Sequence, residues 1–269
     1  MEFHLAGQTA VVVGGHQGIG LAIARAFAGE GCSVAILDRD PGAPAAAAGI
    51  SGEFGGRTLG IVCDVTGEPA VMAAAARIGD EFGPVHHVVF AAGVGSGKFG
   101  FPFWNLSPDD WLRVFAVNLF GAVNVAHAFA PMLIAAGRGS LLFLGSVAGQ
   151  IGSQTDPPYS ASKAAIVNFM QCAAKDLAPH NIRVNALSPG MVKTKLNESV
   201  WAAGQQLVPE NERESYDDWA AKKMAKLAPM GRWQTPAEFG AMAVFLASDH
   251  ARNITGQTLN IDGGQVMHS

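Results

Sequence analysis

Charge is scarce in this chain. Of 269 residues, 18 are Lys or Arg and 22 are Asp or Glu, which leaves a formal net charge of −4. No basic stripe exists to follow a phosphate backbone, so no nucleic-acid partner is expected. Cysteine is equally thin: Cys32, Cys63 and Cys172 are odd in number, far apart and in no ligand-like spacing. Such a set builds neither a disulfide framework nor a metal centre, and it fits reduced thiols in the cytoplasm. The eight histidines fall into no H-E-x-x-H or comparable pattern, so no catalytic metal is expected. The opening residues, MEFHLAGQ, lack the basic and apolar regions of a secretory signal. No apolar run reads as approaching the roughly 18 residues of a membrane span. Without export, the N-x-S/T triplets opening at Asn105, Asn197 and Asn253 are chance matches.

Apolar residues and glycine fill the space that charge leaves, at 49% of the chain and 33 residues respectively. The length suits one large α/β domain. Strand-length apolar runs stand at 9–13, 33–38, 58–63, 87–91, 140–145, 182–187 and 257–261. They are continuous rather than alternating, the pattern of parallel strands covered on both faces. Helical patterns lie between them at 18–29, 67–82, 107–136, 159–178 and 236–247. This alternation predicts a single-domain, Rossmann-type, doubly wound parallel sheet of about seven strands with helices on both faces. Residues 1–145 would form the dinucleotide-binding half and 146–269 the catalytic and substrate half. Two stretches break the rhythm. The Ala/Gly-rich 41–56 predicts at most a weak short helix, and the charged, Trp-containing 191–230 predicts a lid.

The first strand runs into VVVGGHQGIG, with Gly14, Gly18 and Gly20 between strand and helix. Glycine permits a tight turn and close backbone approach, and a helix N-terminus offers free N–H groups to a pyrophosphate. The spacing is G-x-x-x-G-x-G rather than G-x-G-x-x-G. Asp38 closes the second strand eighteen residues after Gly20. A carboxylate there accepts hydrogen bonds from ribose hydroxyls and repels a 2′-phosphate, which favours NAD over NADP. Arg39 is the counter-signal, because a guanidinium can hold that phosphate. Gln17, in the turn, adds no positive charge.

Deeper in the chain stands YSASK, residues 159–163. Positions i and i+4 share a helix face, so Tyr159 and Lys163 point the same way. A phenol with its usual pKa of about 10 is too weak an acid to exchange protons efficiently near neutrality. An ammonium about 5 Å away, at an effective dielectric near 20, would favour the phenolate by about 3 kcal/mol. The sequence therefore predicts a Tyr159 acidified by Lys163.

Taken together, GGHQGIG (14–20), Asp38, CDVT (63–66), AAG (91–93), Asn118 in FAVNLFG, Ser146 in LGSVAG, YSASK and RVNALSPG (183–190) resemble the short-chain dehydrogenase/reductase family, in its classical branch, over essentially the whole length. The resemblance implies a catalytic tetrad of Asn118, Ser146, Tyr159 and Lys163. Tyr159 would be the acid/base, and Ser146 would hydrogen-bond the substrate oxygen. Lys163 would also grip the nicotinamide ribose, and Asn118 would hold a relay water. The cofactor set would comprise Gly14, Gln17, Gly18, Ile19, Gly20, Asp38, Arg39, Asp64, Val65, Ala92, Gly93, Pro189, Gly190, Val192 and Thr194, together with Tyr159 and Lys163. Asn185 would be a structural support. Val13, Phe90 and Ala91 depart from the family pattern and remove hydrogen bonds around the cofactor loop.

The same resemblance places substrate recognition in 93–104, 147–154 and the insertion after Gly190. Ser146, Gln154, Tyr159, Met191 and Trp201 are the substrate candidates there, beside Ser96, Trp104 and Ser153. The insertion and the DGGQVMHS ending look similar to members acting on polyols and sugars. The small apolar residues on helices 107–136 and 159–178 imply a homotetramer. The expected activity is hydride transfer between NAD(H) and a secondary alcohol or ketone. An NADP-dependent carbonyl or 3-oxoacyl reductase is the alternative, and a non-catalytic NAD(H) sensor is the alternative of another class.

Overall fold

Thr9–Val13 is apolar along its length, and it becomes the centre of the sheet. In the computed structural model, which describes residues 2–98, 100–153, 155–206 and 208–267, with Lys195 and Leu196 by backbone alone, every residue of β1 (Thr9–Val13) is buried. β2 (Ser33–Asp38), β3 (Thr58–Val62), β4 (His87–Phe90), β5 (Gly139–Leu144), β6 (Ile182–Pro189) and β7 (Thr258–Ile261) join it. The order is β3-β2-β1-β4-β5-β6-β7 and every pairing is parallel. The expected strands are all present, within one or two residues at their ends. The chain winds outward from β1 to β3, then returns to β4 and winds the other way. The connections diverge between β1 and β4, and that divergence opens a crevice beyond the strand ends.

Helices cover both faces. α1 (Gly18–Gly29), α2 (Ala43–Phe54) and α9 (Pro236–Ala247) pack on one side. α3 (Glu68–Phe82), α5 (Gly121–Ala136) and α6 (Pro157–Leu177) pack on the other. α2 corrects the sequence reading, since 43–54 is a full twelve-residue helix rather than a weak short one. Its alanines have the best intrinsic helix propensity. Ala43, Ala47 and Ile50 are buried against the sheet, and Gly55 ends the helix in the left-handed region at φ +73. β3 admits so close a neighbour because of Gly60, where a Cβ would lie 2.4 Å from the Ala43 carbonyl oxygen.

The long 107–136 pattern is one helix with a wide turn inside it. α4 (Pro108–Phe115) passes through a π-turn over Ala116–Phe120 into α5. The membrane expectation needs correcting here. Pro108–Ala136 is long and apolar enough, by length and composition, to cross a bilayer. In the fold one side of it enters the core, with Val114, Ala122, Val125, Phe129 and Leu133 completely buried. The insertion holds α7 (Lys195–Gln205) and α8 (Tyr216–Leu227), and α8 contributes Met224 to a small cluster with Met191 and Ala228.

Candidate active site

The turn between β1 and α1 closes only because it is made of glycine. Gly14 sits at φ +81, and a Cβ there would lie 2.5 Å from the Ala92 backbone nitrogen. At Gly20 a Cβ would lie 2.0 Å from the Gly14 carbonyl oxygen. α1 has neither a side-chain cap nor an acidic residue in its first turn. Its leading N–H groups are left to an anion, as a pyrophosphate site requires.

A cleft of about 490 Å³ opens over this turn, at the crevice between β1 and β4. It is lined by Gly14, Gln17, Gly18, Ile19 and Gly20, by Asp38 and Arg39 after β2, and by Asp64 and Val65 after β3. Ala92, Gly93 and Thr194 complete the expected part of the wall. Pro189, Gly190, Val192, Tyr159 and Lys163 do not line it. The Gly190 N–H is spent on the Ile261 carbonyl, and Val192 is buried. Sequence reasoning missed Val13, Leu37, Cys63, Ala91, Val94, Val117 and Lys193, which the cleft also exposes. Val13 and Ala91 stand at the ends of β1 and β4, where the connections diverge, a signal that the strand reading contained. Lys193 carries none: its Nζ lies 3.2 Å from Asp217 and 5.6 Å from the Trp233 ring centre.

Asp38 is fixed in place by main-chain donors. Its Oδ2 accepts from the His16 N–H at 3.1 Å and its Oδ1 from the Asp40 N–H at 3.0 Å. Asp64 is similarly held by both the N–H and the hydroxyl of Thr66, and these bonds lower its pKa.

Beyond Gly93 the four expected catalytic residues converge. A Cβ on Gly93 would meet Lys163 Nζ at 3.3 Å and Asn118 Oδ1 at 3.6 Å, so both stand directly behind the cleft wall. Asn118 is fully buried inside the π-turn. It accepts from the Val94 N–H at 2.8 Å and donates to the Val94 carbonyl and to Ser162 Oγ. Ser146, two residues beyond β5, turns its Oγ to accept from the Ala148 N–H. Asn185 donates to the Ile254 carbonyl and accepts from the Gln257 N–H, which ties β6 to the strand beside it.

Lys163 stands beside Tyr159 as the sequence predicted, but the phenol is shifted in the opposite direction. The Lys163 Nζ donates to the Leu144 carbonyl at 2.7 Å and stands 5.6 Å from the Tyr159 ring centre. Burial lowers the ammonium to about 8, and burial pushes the Tyr159 phenol up to about 12. The Ser146 hydroxyl, hydrogen-bonded toward the phenol, pulls the other way, while the charge of Asp156 adds to the rise. Removing both groups from water favours their neutral forms more than their mutual attraction favours the ions. Tyr159 is only half-buried, and the remaining solvent offsets some of that penalty.

The substrate candidates are scattered. Ser146 and Tyr159 adjoin each other. Met191 is buried in the cluster beneath the insertion. Trp201 donates to the Glu214 carbonyl at 3.2 Å and packs edge-on against Tyr216. Gln154 lies outside the described residues. Among the described residues, no three His, Cys, Asp or Glu side chains converge on one point.

A family model described as enoyl-(acyl carrier protein) reductase matches residues 13–266. The chain is 35% identical to the D-threitol dehydrogenase of Mycolicibacterium smegmatis, over 99% of this chain and 95% of that protein. It superposes with a TM-score of 0.90 on the L-sorbose reductase of Gluconobacter frateurii complexed with NADPH and L-sorbose, at 28% identity over 100% of both chains. An NAD+-bound xylitol dehydrogenase gives a TM-score of 0.89 at 30% identity, covering 97% of this chain and 100% of that one. Motifs, sheet order and full-length likeness agree: the chain belongs to the short-chain dehydrogenase/reductase family of nicotinamide-dependent oxidoreductases.

Proposed function

We propose that this protein is an NAD-dependent dehydrogenase of secondary alcohols, acting on a polyol or sugar-like substrate, with the ketone as product and the reverse reaction open to it. The observation that carries this is the convergence of the Lys163 ammonium, the Tyr159 ring and the Ser146 hydroxyl directly behind Gly93 of the glycine-cradled cleft. The cradle fits a dinucleotide, because glycine at 14 and 20 lets the turn fold tightly where a Cβ would strike the Ala92 nitrogen or the Gly14 carbonyl, and the α1 N-terminus has no side-chain cap. Gly14, Gly18 and Gly20 with the α1 N-terminus would hold the pyrophosphate, Asp38 the adenosine ribose, Thr194 the carboxamide and Lys163 the second ribose. Once bound, the nicotinamide supplies the hydride acceptor, or the donor in reverse. Tyr159 takes the hydroxyl proton, and Ser146 hydrogen-bonds the same oxygen as charge develops on it. The polyol reading draws on the relatives, which are named for threitol, sorbose and xylitol. In this reading residues 1–145 mainly bind the dinucleotide, and 146–269 carry most of the chemistry and the lid.

Arg39 and Lys193 in the cleft wall favour a second reading, an NADP-dependent carbonyl or 3-oxoacyl reductase. Titrating both dinucleotides against the protein and against Asp38→Ala separates the two. In the first reading that substitution weakens NAD and removes the discrimination against NADP. Unchanged discrimination assigns the choice to the two cations.

The activity itself is tested with NAD, a panel of polyols and the absorbance of the reduced nicotinamide. Tyr159→Phe is expected to lower turnover by about a hundredfold to ten-thousandfold while leaving dinucleotide binding intact. Undiminished turnover in that variant refutes the role given to Tyr159. Binding without turnover on any alcohol supports the sensor instead. We also infer a homotetramer, because Leu112, Phe120 and Ile134 leave apolar surface exposed along the long helix. Light scattering at four times the chain mass is the expected result.

A further inference from the structure

The segment after β4 is gripped from several sides. Asn118 holds both main-chain groups of Val94, and Arg113 of α4 donates to the Ser96 carbonyl. Lys98 Nζ donates to Asp110 at 2.8 Å. The last anchor comes from the opposite wall. Asp156, the residue just before α6, accepts the Ser96 N–H on Oδ2 at 2.8 Å. Beside it, the Gly100 N–H donates to the Thr155 carbonyl at 2.8 Å. The seam is tight, since a Cβ on Gly100 would lie 2.4 Å from Pro157 Cδ.

Capping alone does not account for Asp156. A helix start is served equally well by an exposed Asp or Ser, yet this carboxylate is only 8% exposed. Its Oδ1 is buried with no hydrogen-bond partner. The Tyr159 N–H faces the carboxylate without completing a cap bond of strict geometry. A buried, half-satisfied anion is unfavourable for folding, and it stands three residues from the tyrosine at the centre of the site. The titratable and charged groups that face it are Arg113 from α4 and Tyr159 on α6, while Lys98 is taken up by Asp110. Burial raises the Asp156 carboxyl, so as pH falls its charge is lost earlier than that of an ordinary aspartate.

We propose that Asp156 is a positioning residue of the reaction: it ties residues 94–98 to the start of the Tyr159 helix, and its charge sets how readily Tyr159 yields a proton. This rests on reading Tyr159 as the proton-exchanging group, so the test uses no substrate and its outcome is independent of whether any alcohol is turned over.

The chain has two tyrosines, so a Tyr216→Phe background leaves Tyr159 as the one phenol. Asp156→Asn keeps an acceptor for Ser96 and removes the charge, whereas Asp156→Ala removes both. In a rapid base jump followed by phenolate absorbance, Asp156→Asn is expected to ionise Tyr159 at a pH lower by roughly half a unit or more. Its amide exchange over 94–98 should stay at the parent rate. Asp156→Ala should speed that exchange by about tenfold or more. A phenol titration in Asp156→Asn that coincides with the parent's overturns the proposal. So does an Asp156→Ala protein whose 94–98 amides exchange no faster than before.

Discussion

Tyr159 and Lys163 are shifted toward their neutral forms by one cause, the loss of water around a helix start packed against β5. With the phenol pushed up to about 12, Tyr159 is a proton donor at neutral pH, suited to carbonyl reduction. Alcohol oxidation needs the phenolate, and its population grows with pH until the pKa is passed. Oxidation measured from pH 6 to 10 is therefore expected to rise throughout, with reduction flat or falling; an oxidation profile flat across that span would contradict this account. The YSASK spacing made the pair legible, but spacing carries no information on burial, so the direction of the shift was misjudged. Glycine gives a sharper residue-scale test. Gly20→Ala pushes a methyl group toward the Gly14 carbonyl, 2.0 Å away. Dinucleotide affinity should fall by about tenfold or more, as fluorescence titration can check, while α1 itself tolerates alanine well.

Helices and strands show where sequence patterns suffice and where neighbours decide. α1 and the seven strands follow directly from continuous apolar runs and glycine punctuation. α2 does not, because an Ala/Gly-rich stretch has weak amphipathicity, and what holds it is the flat face that Gly60 leaves on β3. Gly60→Ala should destabilise the fold by about 1–3 kcal/mol, read as a lower denaturant midpoint with an unchanged slope. The 191–230 insertion is the opposite case. α8 rests on a small cluster of Met191, Met224 and Ala228, joined by surface contacts such as Lys193–Asp217, and exposed ion pairs of that kind contribute little. Amide exchange in 195–227 should be at least about tenfold faster than in α1 and α9. Equal protection would mean the insertion is a rigid part of the fold.

The whole molecule carries a second polar centre, at the end of the sheet far from the cleft. His87 is 2% exposed, stacks on Phe27, and bridges Ser140 Oγ at 2.9 Å and Gln8 Oε1 at 2.8 Å. Burial lowers it from 6.5 to about 3. The unfolded chain therefore binds a proton below pH 6.5 that the folded chain refuses until about pH 3. Stability is full above 6.5 and declines across that window as pH falls, by about 2 kcal/mol at pH 5. Unfolding measured at pH 7 and pH 5 should show the loss, and His87→Gln, which does not titrate, should remove most of the pH dependence.

The sequence by itself determined the parallel sheet, the glycine turn and the identity of the groups that meet at its mouth. Those follow from local chemistry: apolar runs long enough to be covered on both faces, turns only glycine can make, and residue types at helical spacing. What the tertiary structure decided is the environment of those groups. It set the neutral bias of Tyr159 and Lys163, brought Asp156 beside Tyr159 and Lys193 into the cleft wall, turned Met191 inward, and set one side of a bilayer-length helix into the core. Each of these depends on what distant segments bring into contact, and burial and charge act through space rather than along the chain.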